Sequence, residues 1–247
     1  MKISVITISF NSEATMGKTI ESIRGQNYSD IEHIVVDGGS SDRTLDIIQD
    51  NENITSKWIS EPDDGIYDAM NKGIRLATGD VIGFLNSDDR YYDEYVVQNI
   101  ADAFIKYDCD CTYGNLVYSN DQGKITRVWD SRSYEPGLFR KSWTPAHPTF
   151  YCKQSVYEQY DLYKTDYEIA ADVELMFRYL NVHGIRSHFI DRRLVNMLEG
   201  GVSNQGLQST ITITKEMSRA FKENGLKLNI PKYLFYKGLK MKEFLNR

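Results

Sequence analysis

The chain has few cysteines, no long apolar run and no excess of positive charge, and each absence excludes a class of protein. No stretch approaches the ~20 consecutive apolar residues of a membrane-spanning helix, so we expect no transmembrane segment. The three cysteines, Cys109, Cys111 and Cys152, lack zinc-type spacing and favour a reducing cytoplasm without a disulfide framework. A net charge of −6 argues against nucleic acid as a partner.

Two common nucleotide-binding motifs are also missing. Residues 12–19 approach the phosphate-binding loop Gly-x-x-x-x-Gly-Lys-Ser/Thr, but Ser12 replaces its first glycine and helix-forming residues fill its interior. The dinucleotide-binding pattern Gly-x-Gly-x-x-Gly does not occur. A P-loop nucleotide hydrolase and a dinucleotide-dependent dehydrogenase are therefore disfavoured.

The first part of the chain instead alternates strand and helix patterns. The predicted strands cover residues 2–10, 31–36, 57–60 and 80–85. The predicted helices run from a cap at Asn11 or Ser12 through Gln26, from a cap at Ser41 through Gln49, and from Ile66 to a stop at Gly79. Strands joined by helical crossovers predict a mostly parallel sheet and an α/β fold.

The second part is less regular. We predict a helix near residues 95–107, a hairpin of residues 112–118 and 124–129, an aromatic-rich and proline-rich loop over 133–150, a helix over 170–182, a strand over 186–196, and helices over 211–223 and 231–245. The charge changes toward the end, since nine Lys and Arg stand against three Glu from Lys215 onward. The last helix is expected either to lie on an anionic membrane surface or to pack on the domain with a solvated basic face.

The strand that begins at Asp80 ends in two adjacent carboxylates, Asp88 and Asp89. Ligands of open α/β sheets bind outside the carboxyl ends of the strands. Two neighbouring carboxylates repel each other unless a cation lies beside them, and their oxygens suit Mg²⁺ or Mn²⁺ bound to a diphosphate. A solvated turn is the simpler interpretation of the pair taken alone.

Three other strand ends should lie at the same edge of the sheet, at Phe10, Asp37 and Asp63-Asp64. In the loop after Asp37, glycines let backbone N–H groups approach a ligand, and the carboxylate can accept a hydrogen bond from a base or ribose. The same loop is also compatible with a helix N-terminus capped by Ser41. The two interpretations are compatible with each other.

Candidate residues in the second part are farther apart. Asp172 lies at the start of a helix after two alanines, where the helix dipole is expected to lower its pKa, although a simple cap fits equally. His147 lies between two prolines, and Trp143 precedes it in a loop that could pack against a sugar face or fill core. Residues 200–203, ending at Ser203, fit either a lid over the site or a plain turn.

Taken together, these pieces resemble family 2 glycosyltransferases, the GT-A fold enzymes of bacterial surface-polysaccharide assembly. The resemblance covers residues 1–204 and is carried by residues 5–11, 36–42, 64–73, 77–79, 86–89 and 171–178. It implies an α/β GT-A fold with a Rossmann-like, mostly parallel central sheet, helices on both faces and a C-terminal helical extension. It further implies a nucleotide-sugar-binding half over 1–110, an acceptor-binding and catalytic half over 111–204, and a basic helical extension over 205–247.

The resemblance also implies roles for individual residues. Asp172 occupies the place of the catalytic base, and Asp89 together with Asp88 would hold a divalent cation, Mn²⁺ or Mg²⁺. Residues expected at the nucleotide are Ile8, Ser9, Phe10, Asp37, Gly38, Asp64 and Asp88, and residues expected at the acceptor or donor sugar are His147, Trp143 and Ser203. The chain departs from the family pattern at Asn86, where the motif begins with Asp, and at Ala171, where Glu is frequent.

The implied activity is inverting, metal-dependent transfer of one sugar from a nucleotide-sugar, with UDP-sugar favoured, to a glycan or lipid-linked saccharide. Such transfer would serve O-antigen, capsule or exopolysaccharide synthesis in the cytoplasm, with peripheral contact of residues 230–247 with the inner membrane. The Gln-x-x-Arg-Trp motif of processive synthases is absent, so single-sugar transfer is expected. Two other classes stay open: a catalytically inactive sugar-nucleotide-binding or scaffold protein, and a sugar nucleotidyltransferase, whose expected glycine-rich basic loop is not found near the N-terminus.

Overall fold

A computed structural model describes residues 1–199 and 207–245. The strands within these ranges form one mixed sheet of nine, in the order β3-β2-β1-β4-β8-β6-β9-β5, with β7 paired to β6. The strands are β1 Ile3–Ser9, β2 Ile31–Asp37, β3 Thr55–Ser60, β4 Val81–Phe84, β5 Arg90–Tyr91, β6 Cys111–Ser119, β7 Ile125–Trp129, β8 Tyr151–Lys153 and β9 Ser187–Leu198. The helices are α1 Met16–Arg24, α2 Thr44–Gln49, α3 Ile66–Leu76, α4 Val96–Tyr107, α5 Gln154–Gln159, α6 Ala171–Phe177, α7 Leu207–Glu223 and α8 Ile230–Leu245.

The first four strands form the parallel part of the sheet, as the sequence predicts. β1 pairs in parallel with β2 on one side and with β4 on the other, and β2 pairs with β3. Alternate residues of these strands are buried on opposite faces, since Ile6 and Ile34 lie in the core under α3 whereas Val35 packs with Met16 and Ile20 of α1. Helices therefore cover both faces, which is why β1 is buried along its whole length.

The second part of the sheet is joined to the first through a short antiparallel strand. β8 pairs with β4 and with β6, and its Tyr151 ring lies so close to Gly83 that a Cβ there would be 2.1 Å from the ring. β6 then pairs in parallel with β9 and forms a hairpin with β7, as predicted around residues 120–123. The predicted α/β class with a mostly parallel centre is confirmed, and the antiparallel strands β5, β7 and β8 make the sheet mixed.

The structure corrects three predicted helix boundaries. α1 begins at Met16, not after Asn11, because Asn11 adopts a left-handed backbone (φ 48°) and its side chain accepts a hydrogen bond from the N–H of Ser41. α2 begins at Thr44, where the carboxylate of Asp42 accepts the N–H of Thr44, so Ser41 is not the cap. α3 ends at Leu76, before Gly79, whose N–H instead donates to Ser4 Oγ. At α1 and α3 a hydrogen bond to another segment replaces the predicted cap or stop, whereas at α2 the neighbouring Asp42 takes the place of Ser41.

The C-terminal helices pack onto the domain. Phe221 of α7 stacks on Phe177 of α6 with ring centroids 4.3 Å apart, and Tyr233 of α8 is buried beside the short 3-10 turn Leu138–Lys141. The outer face of α8 leaves Phe235 and Leu239 exposed. None of the helices within residues 1–199 and 207–245 is long and apolar enough to cross a membrane. The division of the chain at residues 110 and 204 stays a prediction.

Candidate functional site

The strand ends that the sequence places at one edge are joined there by hydrogen bonds between side chains. Ser9 of β1 donates to Asp37 of β2 at 3.0 Å, and the hydroxyls of Ser12 and Ser87 are 2.8 Å apart. The hydroxyl of Thr19 in α1 donates to the backbone carbonyls of Ser87 and Asp89. Residues 16–19 of the stretch that resembles a P-loop are thus part of α1, and Thr19 among them holds the turn that carries Asp88 and Asp89.

Asp37 is fully buried and already has many donors. Its carboxylate accepts hydrogen bonds from the N–H groups of Gly39 and Ser40 and from the hydroxyls of Ser9, Ser40 and Ser60. Burial alone would raise its pKa, but the bonds from Ser40, Ser60 and Ser9 lower it. Asp37 therefore holds the loop in shape. The contact with a base that the resemblance implies for Asp37 stays a prediction, and such a contact would have to replace one of these hydrogen bonds.

A slot at this edge is formed by Phe10, Gly38 and Asp63. The Phe10 side chain is 63% exposed although it follows a buried strand. A Cβ on Gly38 would lie 2.6 Å from Asp63 Oδ2 and 3.5 Å from the Phe10 ring, so Gly38 keeps the space between them open. The resemblance implies Asp64 as a nucleotide contact, yet Asp64 is exposed and Asp63 is the residue that lies beside Gly38. The conformation of the turn after β3 determines that Asp63, and not Asp64, lies beside Gly38.

The remaining predicted nucleotide contacts differ in what they can offer. The Ile8 side chain belongs to the core, and the Ser9 hydroxyl is bonded to Asp37. Both residues can therefore meet a ligand only through backbone atoms. The exposed ring of Phe10 and the backbone of Gly38 are the parts of the predicted set that are open to a base.

Asp88 and Asp89 differ although they are adjacent. Asp88 is half-buried, and burial raises its pKa while His147 opposes the rise. Asp89 is completely buried, and burial and then Asp88 raise its pKa well above the usual value. Neither Asp89 carboxyl oxygen has a hydrogen-bond partner of ordinary geometry among the described residues, although hydrogen bonding by the Leu198 backbone opposes the rise of the pKa. A buried carboxyl group without donors is costly unless a ligand or cation compensates it.

The donor set at this turn fits a divalent cation that also binds phosphate oxygens. No group of three or more His, Cys, Asp or Glu within residues 1–199 and 207–245 is placed to hold a metal ion by itself. Mg²⁺ and Mn²⁺ sites of nucleotide enzymes are frequently completed by substrate phosphates and water around one or two carboxylates. Asp88, which is the more open of the pair, and the unsatisfied oxygens of Asp89 meet that requirement.

His147 and Asp172 form a contact that the sequence does not reveal. His147 Nδ1 lies 3.2 Å from Asp172 Oδ2, and the two side chains are 28% and 15% exposed. Burial raises the pKa of Asp172 and His147 opposes the rise, so the lowering expected from a helix dipole is wrong. Hydrogen bonds from backbone N–H groups at the start of α6 do lower the pKa of Asp172, but burial outweighs them. His147 also lowers the pKa of Asp88, so its charge acts on both carboxylates.

The segment before Asp172 is held by the C-terminal part of the chain. Glu216 of α7 accepts hydrogen bonds from the N–H groups of Glu168, Ile169 and Ala170. Behind the site, the buried Glu174 pairs with Arg178, whose guanidinium also donates to the Leu162 carbonyl at 2.9 Å. The extension that the resemblance does not cover therefore positions the start of α6. Nothing local in the sequence marks Glu216 for this role.

A cavity of about 340 Å³ adjoins Asp172 and His147. Trp143 lines it and also packs against Phe139 and Tyr134, so it serves both the cavity and the core. Other lining residues come from the hairpin and the last two helices: Tyr118, Arg127, Trp129, Thr210, Ile213, Met217, Tyr233, Lys237 and Lys240. Ser203 and the lid predicted at 200–203 lie outside the described residues.

Comparison with protein families and curated proteins gives consistent matches. Residues 4–164 match the model of glycosyl transferase family 2. An uncharacterized glycosyltransferase of Mycobacterium tuberculosis is 47% identical over 102 residues, which are 41% of this chain and 39% of that protein. The PGL/p-HBAD biosynthesis glycosyltransferase of Mycobacterium bovis is 28% identical over 207 residues, covering 81% of this chain and 78% of the relative.

Solved structures with the same fold include enzymes bound to nucleotide-sugars. TarS of S. aureus (residues 1–349) matches with a TM-score of 0.72 and 18% identity, over 96% of this chain and 71% of TarS. Its complex with UDP-GlcNAc matches with a TM-score of 0.69 and 18% identity, over 90% and 66% of the two chains. The mannosyltransferase PcManGT of Pyrobaculum calidifontis, in complex with GDP-Man and Mn²⁺, matches with a TM-score of 0.66 and 18% identity, over 96% and 68%. These matches confirm the expected GT-A-type fold.

Proposed function

Because this chain belongs to glycosyltransferase family 2, we propose that it transfers one sugar from a nucleotide-sugar to an acceptor hydroxyl bound in the cavity beside Asp172. One observation carries the proposal. His147 contacts Asp172 at the cavity and also acts on the pKa of Asp88 at the strand-end edge. The two halves of a transfer reaction, donor and acceptor, would thus meet at His147.

The nucleotide is proposed to lie at the slot formed by Phe10, Gly38 and Asp63. The exposed Phe10 ring offers a face for stacking a base, and Asp63 offers an acceptor for a base N–H or a ribose hydroxyl. UDP-sugar is the favoured donor, and the fold neighbour TarS bound to UDP-GlcNAc supports this choice. Because the fold neighbour PcManGT is bound to GDP-Man, a GDP-sugar is the alternative donor to test.

Asp88 is proposed to hold a divalent cation, Mn²⁺ or Mg²⁺, with Asp89 close behind it. When bound, such a cation supplies positive charge that stabilises the departing nucleoside diphosphate. The fold neighbour PcManGT, in complex with GDP-Man and Mn²⁺, supports a divalent cation in general. The structure gives Asp88 the more accessible carboxylate, so we assign it the larger part in metal-dependent binding.

Asp172 is proposed to act as the general base. It accepts the proton of the acceptor hydroxyl as that oxygen bonds to the anomeric carbon, while the bond from that carbon to the diphosphate breaks on the opposite face. A single displacement inverts the configuration, so an α-linked donor yields a β-linked product. Burial raises the pKa of Asp172 and makes it a stronger proton acceptor. His147 holds the carboxylate in place through its contact with Oδ2.

The acceptor is proposed to be a saccharide, free or lipid-linked, in surface-polysaccharide synthesis. Trp129 and Trp143 line the cavity and offer aromatic faces to a sugar ring. The exposed Leu234, Phe235 and Leu239 on α8 support a peripheral contact of this helix with a membrane that carries the acceptor. The cytoplasmic location remains part of the proposal.

Calorimetric binding of UDP, GDP and dTDP, each with Mn²⁺, Mg²⁺ or EDTA, tests the donor site first. We expect UDP to bind in the presence of a divalent cation and to lose at least about tenfold in affinity with EDTA. The Asp88→Asn variant should lose the metal-dependent part alone. Absence of binding by all three nucleotides under all conditions would overturn the proposal and favour a protein that does not use nucleotide-sugars.

A further inference from the structure

The cavity beside Asp172 is lined by three cationic side chains that belong to two separate elements. Arg127 comes from β7, and Lys237 and Lys240 lie one turn apart on α8. Among the described lining residues, Asp172 is the sole carboxylate. The cavity is therefore basic, whereas the strand-end edge is acidic. Binding of an uncharged sugar would not require cationic side chains in the lining.

Of the three cations, Lys237 gives the clearest indication of the charge of the ligand. Its side chain is half-buried at the cavity, and it makes no ion pair with any described residue. Burial accordingly lowers the pKa of its ammonium group, and no carboxylate offsets this effect. A desolvated cation that faces a cavity is costly for the free protein. An anionic ligand would remove that cost by supplying the missing charge.

The other two cations are held against aromatic rings. The Arg127 guanidinium lies 4.4 Å from the Tyr118 ring centroid, and the Lys240 ammonium lies 4.6 Å from that of Trp129. The hairpin and α8 are thereby brought to the same wall of the cavity. This arrangement holds the cations beside a flat aromatic surface, which suits a ligand with both a ring and a charged group.

The volume and the neighbouring surface restrict the ligand further. At about 340 Å³ the cavity is near the lower end of the roughly 300–1,000 Å³ typical of small-molecule sites, which accommodates a sugar and a compact anion. The N–H donors of Lys237, with those of Arg127 and Lys240 beside it, match the several oxygens of a phosphate or diphosphate better than the two oxygens of a carboxylate. The exposed apolar residues Leu234, Phe235 and Leu239 on the same helix leave room for a hydrocarbon chain to continue outside.

We propose that the basic cavity formed by Arg127, Lys237 and Lys240 recognises a phosphate or diphosphate group on the acceptor, whose sugar lies toward Asp172. This inference rests on the proposed glycosyl transfer, because it assigns the cavity to the acceptor. The phosphate could join the sugar to a lipid or belong to a soluble phosphorylated saccharide. Both sources share the chemistry that the three cations recognise.

Binding of farnesyl diphosphate, farnesol and inorganic pyrophosphate, measured by calorimetry in EDTA, separates these possibilities. EDTA prevents metal-dependent binding of the diphosphate at the strand-end edge. We expect farnesyl diphosphate to bind at least about tenfold more tightly than farnesol, since a charge-assisted contact is lost in the alcohol. Displacement of farnesyl diphosphate by equal pyrophosphate would indicate a soluble acceptor, and weak displacement a lipid-linked one.

Two variants of α8 test whether the preference for farnesyl diphosphate over farnesol arises in the cavity. Lys237→Gln should weaken binding of farnesyl diphosphate by about tenfold or more and leave that of farnesol unchanged. Lys232→Gln, at an exposed position that does not line the cavity, is the matched control and should change neither. Equal affinities for the diphosphate and the alcohol, or equal effects of the two variants, would overturn the inference.

Parallel measurement of UDP binding with Mn²⁺ keeps this test separate from that of the proposed function. Lys237→Gln should bind UDP as the wild type does, because the strand-end slot and Asp88 are on other elements. If the wild type binds UDP but does not prefer farnesyl diphosphate to farnesol, the proposed recognition of an acceptor phosphate would be overturned and the proposed transfer would stand. Loss of UDP binding in the wild type would overturn the proposed transfer itself.

Discussion

Buried carboxylates lie at both ends of the parallel strands, and their surroundings differ. At the amino ends, Glu32 is 3% exposed and accepts hydrogen bonds from Ser4 Oγ and from the N–H and hydroxyl of Thr78, with Lys57 at 3.1 Å. At the carboxyl ends, Asp89 is equally buried, but neither of its oxygens has a hydrogen-bond partner of ordinary geometry among the described residues. Burial is the same, and the supply of donors differs.

The two surroundings move the pKa in opposite directions. Burial alone would raise the pKa of Glu32, but the bonds from Ser4, Thr78 and Lys57 lower it to about 2. Burial and the charge of Asp88 raise the pKa of Asp89 well above its usual value. Donors in the protein therefore make Glu32 a stabilising group, whereas the surroundings of Asp88 and Asp89 disfavour their ionised forms. The contrast separates the structural end of the sheet from its proposed functional end.

The largest effect is expected at the functional end, from Asp172→Asn. Removing the proposed base should lower turnover with any accepted donor and acceptor by at least about 100-fold. Binding of UDP with Mn²⁺ should be unchanged, because the strand-end slot is intact. Steady-state rates and calorimetry check both parts. Asp50→Asn at an exposed position is the control, and comparable turnover in Asp172→Asn would remove this residue from the mechanism.

The second effect concerns the metal-dependent binding of the donor. Asp88→Asn should weaken UDP binding in Mn²⁺ by about 10- to 100-fold, because a charged contact with the cation is lost. The free energy of unfolding should change little, since burial already disfavours the ionised Asp88. Asp89→Asn should likewise cost less than about 1 kcal/mol of stability, because burial disfavours its ionised form and neither carboxyl oxygen makes a hydrogen bond of ordinary geometry among the described residues. Calorimetry and urea unfolding measure the two quantities, and a large stability loss in Asp89→Asn would contradict the comparison.

The structural end should respond in the opposite manner. Glu32→Gln should lower the free energy of unfolding by about 1–3 kcal/mol, because buried donors at Ser4 and Thr78 lose a charged acceptor. UDP binding at pH 7 should be unaffected. Glu21→Gln, at an exposed carboxylate, serves as the control in urea unfolding. Loss of UDP binding in Glu32→Gln without loss of stability would break the distinction between the two ends.

The pH dependence of stability offers an independent check on Glu32. Its folded pKa of about 2 lies below the ordinary value of 4.5, so the ionised form contributes stability above pH 4.5 and the contribution is lost as pH falls toward 2. Unfolding free energies between pH 5 and pH 2.5 should therefore fall more steeply for the wild type than for Glu32→Gln. Parallel curves would show that other groups account for the acid sensitivity.

The smallest effect is expected from Gly38→Ala in the nucleotide slot. The added Cβ would lie 2.6 Å from Asp63 Oδ2, so the Asp63 carboxylate must move while the backbone can stay. We expect UDP affinity to fall a few-fold, on the order of 0.5–1 kcal/mol, with little change in stability. Gly17→Ala, whose Cβ would meet its nearest neighbour at 3.9 Å, is the control. Unchanged affinity in Gly38→Ala would exclude Asp63 from the slot.

Much of the strand-end edge could be predicted because it depends on short stretches of sequence. Buried apolar runs ended by Asp37 and by Asp88-Asp89 mark parallel strands and their carboxyl ends, and all of them lie within one alternating pattern. The choice between Asp63 and Asp64 could not be made, since a turn decides which neighbour faces Gly38. The caps at Asn11 and Ser41 were wrong for a related reason, because these residues bond to each other across two loops.

The acceptor side could be predicted less well because its parts are far apart in the chain. Asp172 and His147 were selected singly, and their 3.2 Å contact depends on how the loop 133–150 folds against α6. Glu216, Arg127 and Lys237 were not selected at all, since no local motif marks them. Their position follows from packing of the hairpin and the last two helices around one cavity.

Periodicity and strand termination are local properties of a chain. The α/β class, the order of the parallel strands along the chain and the small acidic residues at their carboxyl ends could therefore be inferred from short stretches of sequence. The tertiary structure decided which carboxylates have donors. It gave Glu32 five nearby donor groups, from Ser4, Thr78, Lys57 and Lys2, and left Asp89 with no hydrogen bond of ordinary geometry among the described residues. It also decided that a basic cavity adjoins Asp172. The state of a carboxylate depends on groups that are distant in sequence and close in space, so only the folded chain could decide it.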